Sequence, residues 1–547
     1  MTAGENELEL AEPHLRQVLA SVGLDIGYES AEGDVLHCRD ENGRRIPVLD
    51  LVGGFGSLIL GHNHPEINSY AKELLDLHTP VHAQFSRHPH ANELAAALTR
   101  IVQREFGTDE PYYAIFANSG AEAIEIALKH AELDRSARLA ALSADLTAHL
   151  GTARELVRAG KAVVSRDAYG AAGLAQAGDP GPGAGGDAAP AGDSRTGAEA
   201  AFERLAAAVE RRNTELLAKP PLFLAPEGSF HGKLVGSVQL THNPAVRTPF
   251  ASLAAQARFV PLDDPGAIRK TVEQEQPEPL LALTVVDGVV TVTERPLPLF
   301  AAFVLEPLQG EGGIRPVTRE FAEEIRRVAD ELGCPVVVDE IQSGMGRTGA
   351  FFAGSHIGLH GDYITLAKSL GGGLAKISAT LIRASRYRQE FEIVHSSTFA
   401  KDGFSTLIAL KTLSLLEAGD GAAYRTAEER GTRLKTMLLG IQADYPDVVK
   451  EVRGRGLMLG VEFHDQSGST SEALQATARA GFFGFTLAGY LLRAHQVRAF
   501  PTASAVNTLR LEPSIGLTDA QIDQVETAFR AACALLRAQD GHRLTQG

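Results

Sequence analysis

Short apolar runs alternating with amphipathic helical stretches constrain the fold of this 547-residue chain more than any other feature. Residues 112–116, 300–305, 335–338 and 363–366 are such runs, and 121–132 and 320–332 carry helical periodicity near them. An apolar run with no polar alternate face fits a strand covered on both sides. Helices between the strands supply that cover, so the pattern predicts an α/β structure with a mostly parallel central sheet flanked by helices. After about residue 384 the texture changes: helix-like stretches at 404–417 and 427–445 precede a strand-like 456–463, and 519–539 is helical again. This predicts a smaller α+β domain, onto which the first 70 residues, with strand-like 34–38 and 46–51, are expected to pack. The expected division is therefore an N-terminal segment 1–70 joined to the small domain, a large domain 71–383, and a C-terminal small domain 384–547.

Two segments stand apart from this pattern. Residues 133–219 read as an insertion. Within it, two stretches rich in Ala, Leu, Arg and Glu (136–159 and 198–218) flank 178–197, which is nearly all Gly, Ala, Pro and Asp. That middle part has little to bury and is expected to be a flexible loop. Residues 285–298 read as a hairpin turning at Asp287-Gly288.

Composition narrows the partners. With 52 basic and 68 acidic residues the chain carries −16. That balance favours solubility and argues against nucleic acid or an anionic membrane as partner. Cys38, Cys334 and Cys533 are too few and too scattered for a disulfide framework or zinc spacing, so no metal is expected and a reducing cytoplasm is the expected location. The acidic first residues lack an apolar signal core, and no apolar run reaches the roughly 18 residues of a spanning helix.

The chemistry sits where the apolar runs end. Asp339 closes one run; Lys368 follows another and precedes Gly371-Gly372-Gly373; Asn118-Ser119-Gly120-Ala121 follows a third; Phe230-His231-Gly232 lies in a glycine-flanked turn. Each has an ordinary reading taken alone: a capping Asp, a surface lysine, a Ser N-cap, a core Phe. Together they supply a carboxylate, an amine that burial can make nucleophilic, an anion site at a helix start and an aromatic that can stack on a planar ring. That combination is what a pyridoxal phosphate site needs.

The ordered motifs extend further. They run from Leu60-Gly61-His62-Asn63-His64-Pro65 through Asn118-Ser119-Gly120-Ala121-Glu122-Ala123 and Phe230-His231-Gly232 to Glu306-Pro307-Leu308-Gln309-Gly310-Glu311-Gly312-Gly313. Asp339-Glu340-Ile341-Gln342-Ser343-Gly344, Ala367-Lys368, Ser397-Thr398-Phe399, Arg453-Gly454-Arg455-Gly456 and Leu509-Arg510-Leu511-Glu512-Pro513 complete them. In these motifs, over roughly 30–130 and 222–535, the chain resembles the class III (ornithine/GABA-type, or ω) aminotransferases of PLP fold type I.

The resemblance implies pyridoxal 5′-phosphate as cofactor. It implies that Lys368 holds it as a Schiff base and shuttles a proton, that Asp339 pairs with the pyridine nitrogen, that Gln342 hydrogen-bonds the phenolic oxygen and that Phe230 stacks on the ring. Ser119, Gly120 and Ala121 would hold the phosphate, and Thr398 would reach the phosphate of a neighbouring subunit, implying a homodimer with the active site at the subunit interface. Arg510 resembles the arginine that binds a substrate carboxylate, and Glu311 the glutamate that neutralises it when the substrate end is uncharged. The implied reaction moves an amino group between an amine or amino acid and a keto acid or aldehyde. The alternative is a PLP-dependent isomerase, decarboxylase or carbon–carbon bond-forming enzyme on the same scaffold. Two departures motivate it: Ala400-Lys401-Asp402-Gly403 where the family has Gly-Gly-Asn-Pro, and the insertion.

Overall fold

Apolar residues fill the strands of the central sheet, and those at its centre are buried on both faces, so the sheet is held by helices packed above and below it. The structure, a computed structural model, describes residues 12–82, 86–174, 194–253 and 256–546. The seven strands are β1 (Tyr112–Ala117), β2 (Leu222–Pro226), β3 (Gln256–Val260), β4 (Phe300–Leu305), β5 (Val336–Asp339), β6 (Tyr363–Leu366) and β7 (Ser378–Arg383). Their order across the sheet is β1-β7-β6-β5-β4-β2-β3. Only β7 runs antiparallel to its neighbours; the other pairings are parallel. The carboxyl ends of β1, β2, β4, β5 and β6 therefore open on one edge, where ligands of open α/β sheets bind.

The covering helices follow from sequence. Arg319–Leu332 starts at Thr318, whose Oγ1 accepts the Phe321 amide at 3.1 Å, and ends at Gly333 in left-handed conformation (φ 67°). Its Phe321, Ile325, Val328 and Ala329 are buried at the three- and four-residue spacing of a core-facing stripe. Gly403–Asp444 merges two helical stretches across non-helical residues Ala418, Gly419, Asp420 and Gly421.

A smaller α+β part carries an antiparallel sheet of Val449–Arg455, Met458–Phe463, Thr508–Leu511 and Phe500–Pro501. Helices Phe483–His495 and Asp519–Arg537 contribute to its apolar core. The N-terminal strands Val35–Arg39 and Arg45–Asp50 join this part, because Val497–Arg498 pairs parallel with the second of them.

The insertion differs in form from its sequence reading. Residues 121–132 and 136–159 fall in one helix, Gly120–Arg158; nothing between them breaks it, since Leu133, Asp134 and Arg135 include neither glycine nor proline. The hairpin starts earlier than expected. Its arms are Leu280–Val286 and Val289–Arg295, turning at Asp287 (φ 50°) and Gly288 (φ 75°), and positive φ at both central residues is what a two-residue hairpin turn requires. Hairpin and insertion share one core, in which Leu150, Ala153 and Val157 meet Phe202, Leu205 and Val209 and strand residues Leu281, Leu283 and Val290. Val163–Val164 adds a short third strand. The two separate interruptions of the sequence are thus one lobe. Of the expected flexible loop, 178–193 lies outside the described residues, and 194–197 begins the helix Ser194–Leu217.

Candidate active site

The carboxyl edge of the sheet gathers the motif residues. After β1 the chain turns into Gly120–Arg158 with Ser119 as N-cap. A capping box closes this start: Glu122 accepts the Ser119 amide at 2.7 Å, and Ser119 Oγ accepts the Glu122 amide at 3.3 Å. The next amides, of Gly120 and Ala121, lie in the first turn, where a helix has no acceptor of its own, and so remain available to an anion. A Cβ on Gly232 would lie 2.6 Å from Ala121 Cβ, and one on Gly120 would lie 3.0 Å from Ile341. The helix start therefore touches both the Phe230-His231-Gly232 turn and the segment after Asp339.

Asp339 is buried, with donors converging on both oxygens. His231 Nδ1 lies 2.8 Å from Oδ2, while the Ile341 amide (3.1 Å) and the Thr365 hydroxyl (3.3 Å) donate to Oδ1. Burial would lower the proton affinity of His231, but the Asp339 hydrogen bond and charge outweigh it and raise it. Glu306, just past β4, clasps two motif loops: its oxygens accept the amides of Phe230 (2.9 Å) and Gly310 (3.0 Å). Burial, reinforced by Asp339, pushes its carboxyl up to about 7 against the opposing pull of His231.

Lys368 leaves β6 with φ 46°, a left-handed conformation that costs a non-glycine residue on the order of 1 kcal/mol and so marks a position the surroundings impose. Burial lowers the proton affinity of its amine; Glu512, Glu311 and Asp339 pull the other way and Arg510 adds to the lowering. The glycines that follow serve packing: a Cβ on Gly372 would lie 2.5 Å from Thr412 Oγ1 and 2.6 Å from Ile67 Cδ1.

The small sheet brings Arg510 to this edge. Its guanidinium is 1% exposed, meets both oxygens of Glu311 (Nη1 to Oε1 2.5 Å), donates to the Pro501 carbonyl at 3.2 Å and lies 5.0 Å from the centre of the Phe55 ring. Burial raises the Glu311 carboxyl, yet the Arg510 charge and hydrogen bonds more than offset it and hold the group below its ordinary value. Gln342 donates to Glu512 Oε1 at 2.8 Å. Thr398 stands apart as an exposed residue at the rim; its neighbour Ser397 accepts from Asn118 at 3.2 Å.

The site thus brings Lys368 near Asp339, Arg510 and Glu311, and joins Gly120, Ala121, Phe230 and Gln342 to them through shared loops. Sequence reasoning assigned no role to His231 or Glu512. His231 stood in the glycine-flanked turn, but nothing local signalled that it backs Asp339, which is distant in sequence. The site fits pyridoxal phosphate on its own chemistry: helix-start amides for a phosphate, a donor-held carboxylate for a ring nitrogen and, for the aldehyde, a half-buried amine whose proton affinity burial lowers.

Fold and site together define a PLP fold type I enzyme. A profile of the class-III aminotransferase family matches residues 20–532, and the chain belongs to that family. It is a pyridoxal-phosphate-dependent aminotransferase, and family membership favours amino transfer over the isomerase, decarboxylase or bond-forming alternative. Solved structures share the fold at low identity. Ornithine aminotransferase from Toxoplasma gondii is 19% identical with a TM-score of 0.62, covering 98% of this chain and 97% of its own. An amine transaminase from an uncultivated Pseudomonas species, solved in its PLP-bound form, is 20% identical at 0.63 over 98% of each chain. The ω-transaminase of Pseudomonas jessenii, solved with PMP, is 19% identical at 0.65 over 99% of this chain and 98% of that one. Among the described residues no helix is long and apolar enough to cross a membrane.

Proposed function

We propose that Lys368 Nζ is where pyridoxal phosphate is attached and is also the base that moves the substrate proton. The observation that carries this is the placement of a half-buried lysine, its amine's proton affinity lowered by burial, on the sheet edge that also holds Asp339 and the helix-start amides of Gly120 and Ala121. A neutral amine can attack a carbonyl and later take and return a proton at Nζ. Asp339, fixed by His231, Ile341 and Thr365, holds the protonated ring nitrogen, and Phe230 covers a ring face. The amides of Gly120 and Ala121 hold the phosphate. Ser119, expected to join them, donates its amide and hydroxyl to Glu122 and instead starts the helix that presents them. Gln342 donates to the phenolic oxygen. Bound there, the cofactor supplies an electron sink for the substrate carbon.

Arg510 reads one end of the substrate. Its planar fork suits a carboxylate, while the Arg510–Glu311 pair leaves no free charge for an uncharged end. One site can thereby take an amine in one half of the cycle and a keto acid in the other. A second copy of the chain completes the rim. Ile393 (88% exposed), Val394 and Phe399 flank Thr398, and an open apolar groove lined by Leu75, Val81, Asn118 and Phe399 leads from them to the helix start. Exposed apolar surface of this extent beside a polar site fits a subunit interface. The buried thiols Cys38, Cys334 and Cys533 suit a reducing, cytoplasmic setting.

The test is a half-reaction. Holoenzyme mixed with a panel of amine donors and no acceptor should convert bound pyridoxal phosphate to pyridoxamine phosphate, read by mass spectrometry. Product formation from the donors without that conversion would refute the reading.

A further inference from the structure

Glu512 is a fully buried carboxylate that none of the roles above uses. It follows strand Thr508–Leu511, and its backbone is pinned: its amide donates to Leu51 O at 2.6 Å, and a Cβ on Gly53 would lie 2.2 Å from its carbonyl oxygen. Ser514 anchors the same turn, its amide (2.7 Å) and hydroxyl (2.8 Å) both donating to Asp34. The carboxylate oxygens differ. Oε1 accepts from Gln342 Nε2 at 2.8 Å, while buried Oε2 makes no hydrogen bond among the described residues and lies 3.9 Å from Arg510 Nη1.

The Gln342 amide is held from its other side too. A Cβ on Gly310 would lie 2.2 Å from Gln342 Oε1, and one on Gly56 would lie 3.3 Å from Gln342 Cγ and 3.1 Å from Glu512 Oε1. A carboxylate only accepts, so the amide atom turned to it must be the nitrogen. One N–H is thereby committed to Glu512, the second remains to donate elsewhere, and the carbonyl cannot swing into the nitrogen's place without facing a negative oxygen.

The geometry points to Glu512 as a positioning residue that locks the Gln342 amide so that its N–H, and not its carbonyl, is presented to the phenolic oxygen of the cofactor. This rests on the functional reading above, in which Gln342 meets that oxygen. Glu512 touches neither substrate nor cofactor in this role. Its charge also bears on Lys368, together with Glu311, Asp339 and Arg510, and it faces the guanidinium of buried Arg347. That general charge effect acts whether or not the cofactor has a phenolic oxygen, which gives the test its control.

The experiment measures dissociation constants of pyridoxal phosphate and of 3-deoxypyridoxal phosphate, which lacks the phenolic oxygen, for the full chain and its variants. Glu512→Ala should weaken pyridoxal phosphate about tenfold more than the deoxy analogue, the scale of one hydrogen bond to a charged oxygen. Glu512→Gln, whose carbonyl can still accept from Gln342, should restore most of that difference. Equal weakening of both cofactors, or of neither, would overturn the inference. Glu512→Leu keeps the volume if the alanine cavity unfolds the chain; failure of both to fold would assign Glu512 a structural role and also overturn it. Gln342→Ala separates the layers. A loss of the difference in Gln342→Ala with none in Glu512→Ala removes this inference alone. No difference in Gln342→Ala removes the Gln342 assignment, and no binding of pyridoxal phosphate by the wild type removes the functional reading itself.

Discussion

The carboxyl edge of the central sheet and the inserted lobe are both built by packing helices on strands, yet they bury different things. The lobe core is aliphatic and aromatic: Leu150, Val157, Phe202, Leu205, Leu281 and Val290. Its buried Asn213 is paired at both ends of its amide, donating to the Leu281 carbonyl at 2.8 Å and accepting the Leu281 amide at 2.9 Å. The sheet edge instead buries Asp339, Glu306, His231, Arg510 and Glu512, and leaves His231 Nε2, Arg510 Nε and Glu512 Oε2 without hydrogen bonds among the described residues. Burying charge and leaving polar atoms unmatched costs stability. The lobe also leaves single nitrogens unmatched, at Arg212 and Arg295, but the cluster of buried carboxylates lies at the sheet edge, where protons and carboxylates are handled.

Substitutions should divide along the same line, sheet-edge changes altering chemistry and lobe changes altering stability. The largest effect belongs to Lys368→Ala. Amino transfer should fall at least about a thousandfold with little change in melting temperature. After borohydride reduction the wild type should carry one pyridoxyl group at Lys368 and the variant none; a retained adduct would move the assignment elsewhere. Phe202→Ala comes next, destabilising the lobe by about 3–5 kcal/mol in denaturant unfolding while kcat stays within about twofold. A collapse of kcat in the folded variant would show that the lobe reaches the site. Arg510→Ala should lower kcat/KM by about 10–100-fold for carboxylate-bearing substrates and much less for plain amines, and equal losses would remove its role.

Glu311 carries a pH signature. Its folded carboxyl lies below the ordinary 4.5, so its contribution to stability is present above that value and is lost as pH falls through the folded value. The wild type should therefore out-melt Glu311→Gln near neutrality, and the two should converge in acid. A gap that persists at low pH would mean that the Arg510 pair is not its source. The smallest effect is Asn213→Ala, about 1–2 kcal/mol of stability with no change in kinetics.

The sequence carried the elements whose cause is local. The apolar runs became β1, β4, β5 and β6, the amphipathic stretch at 320–332 became a helix with a buried stripe, and Ser119 and Glu122 formed the capping box that starts the helix after β1. Covering on both faces, 3.6-residue periodicity and caps are written within a few residues of where they act. Asp339 and Lys368 were legible for the same reason, since each ends an apolar run and parallel strands deliver such ends to one edge.

What tertiary structure alone decided depends on residues far apart in the chain. The insertion and the hairpin each looked like a separate interruption, and only the shared core of Phe202 with Leu281 and Val290 makes them one lobe. His231 behind Asp339, and Glu512 behind Gln342, are carboxylate contacts spanning 108 and 170 positions, and no local pattern announces either. Both depend on which loops meet when the sheets close. Sequence determined which chemical groups would stand at the ends of the strands. Packing decided which way each would be turned, because a side chain's orientation in a buried site is set by the neighbours that deny it every other hydrogen bond.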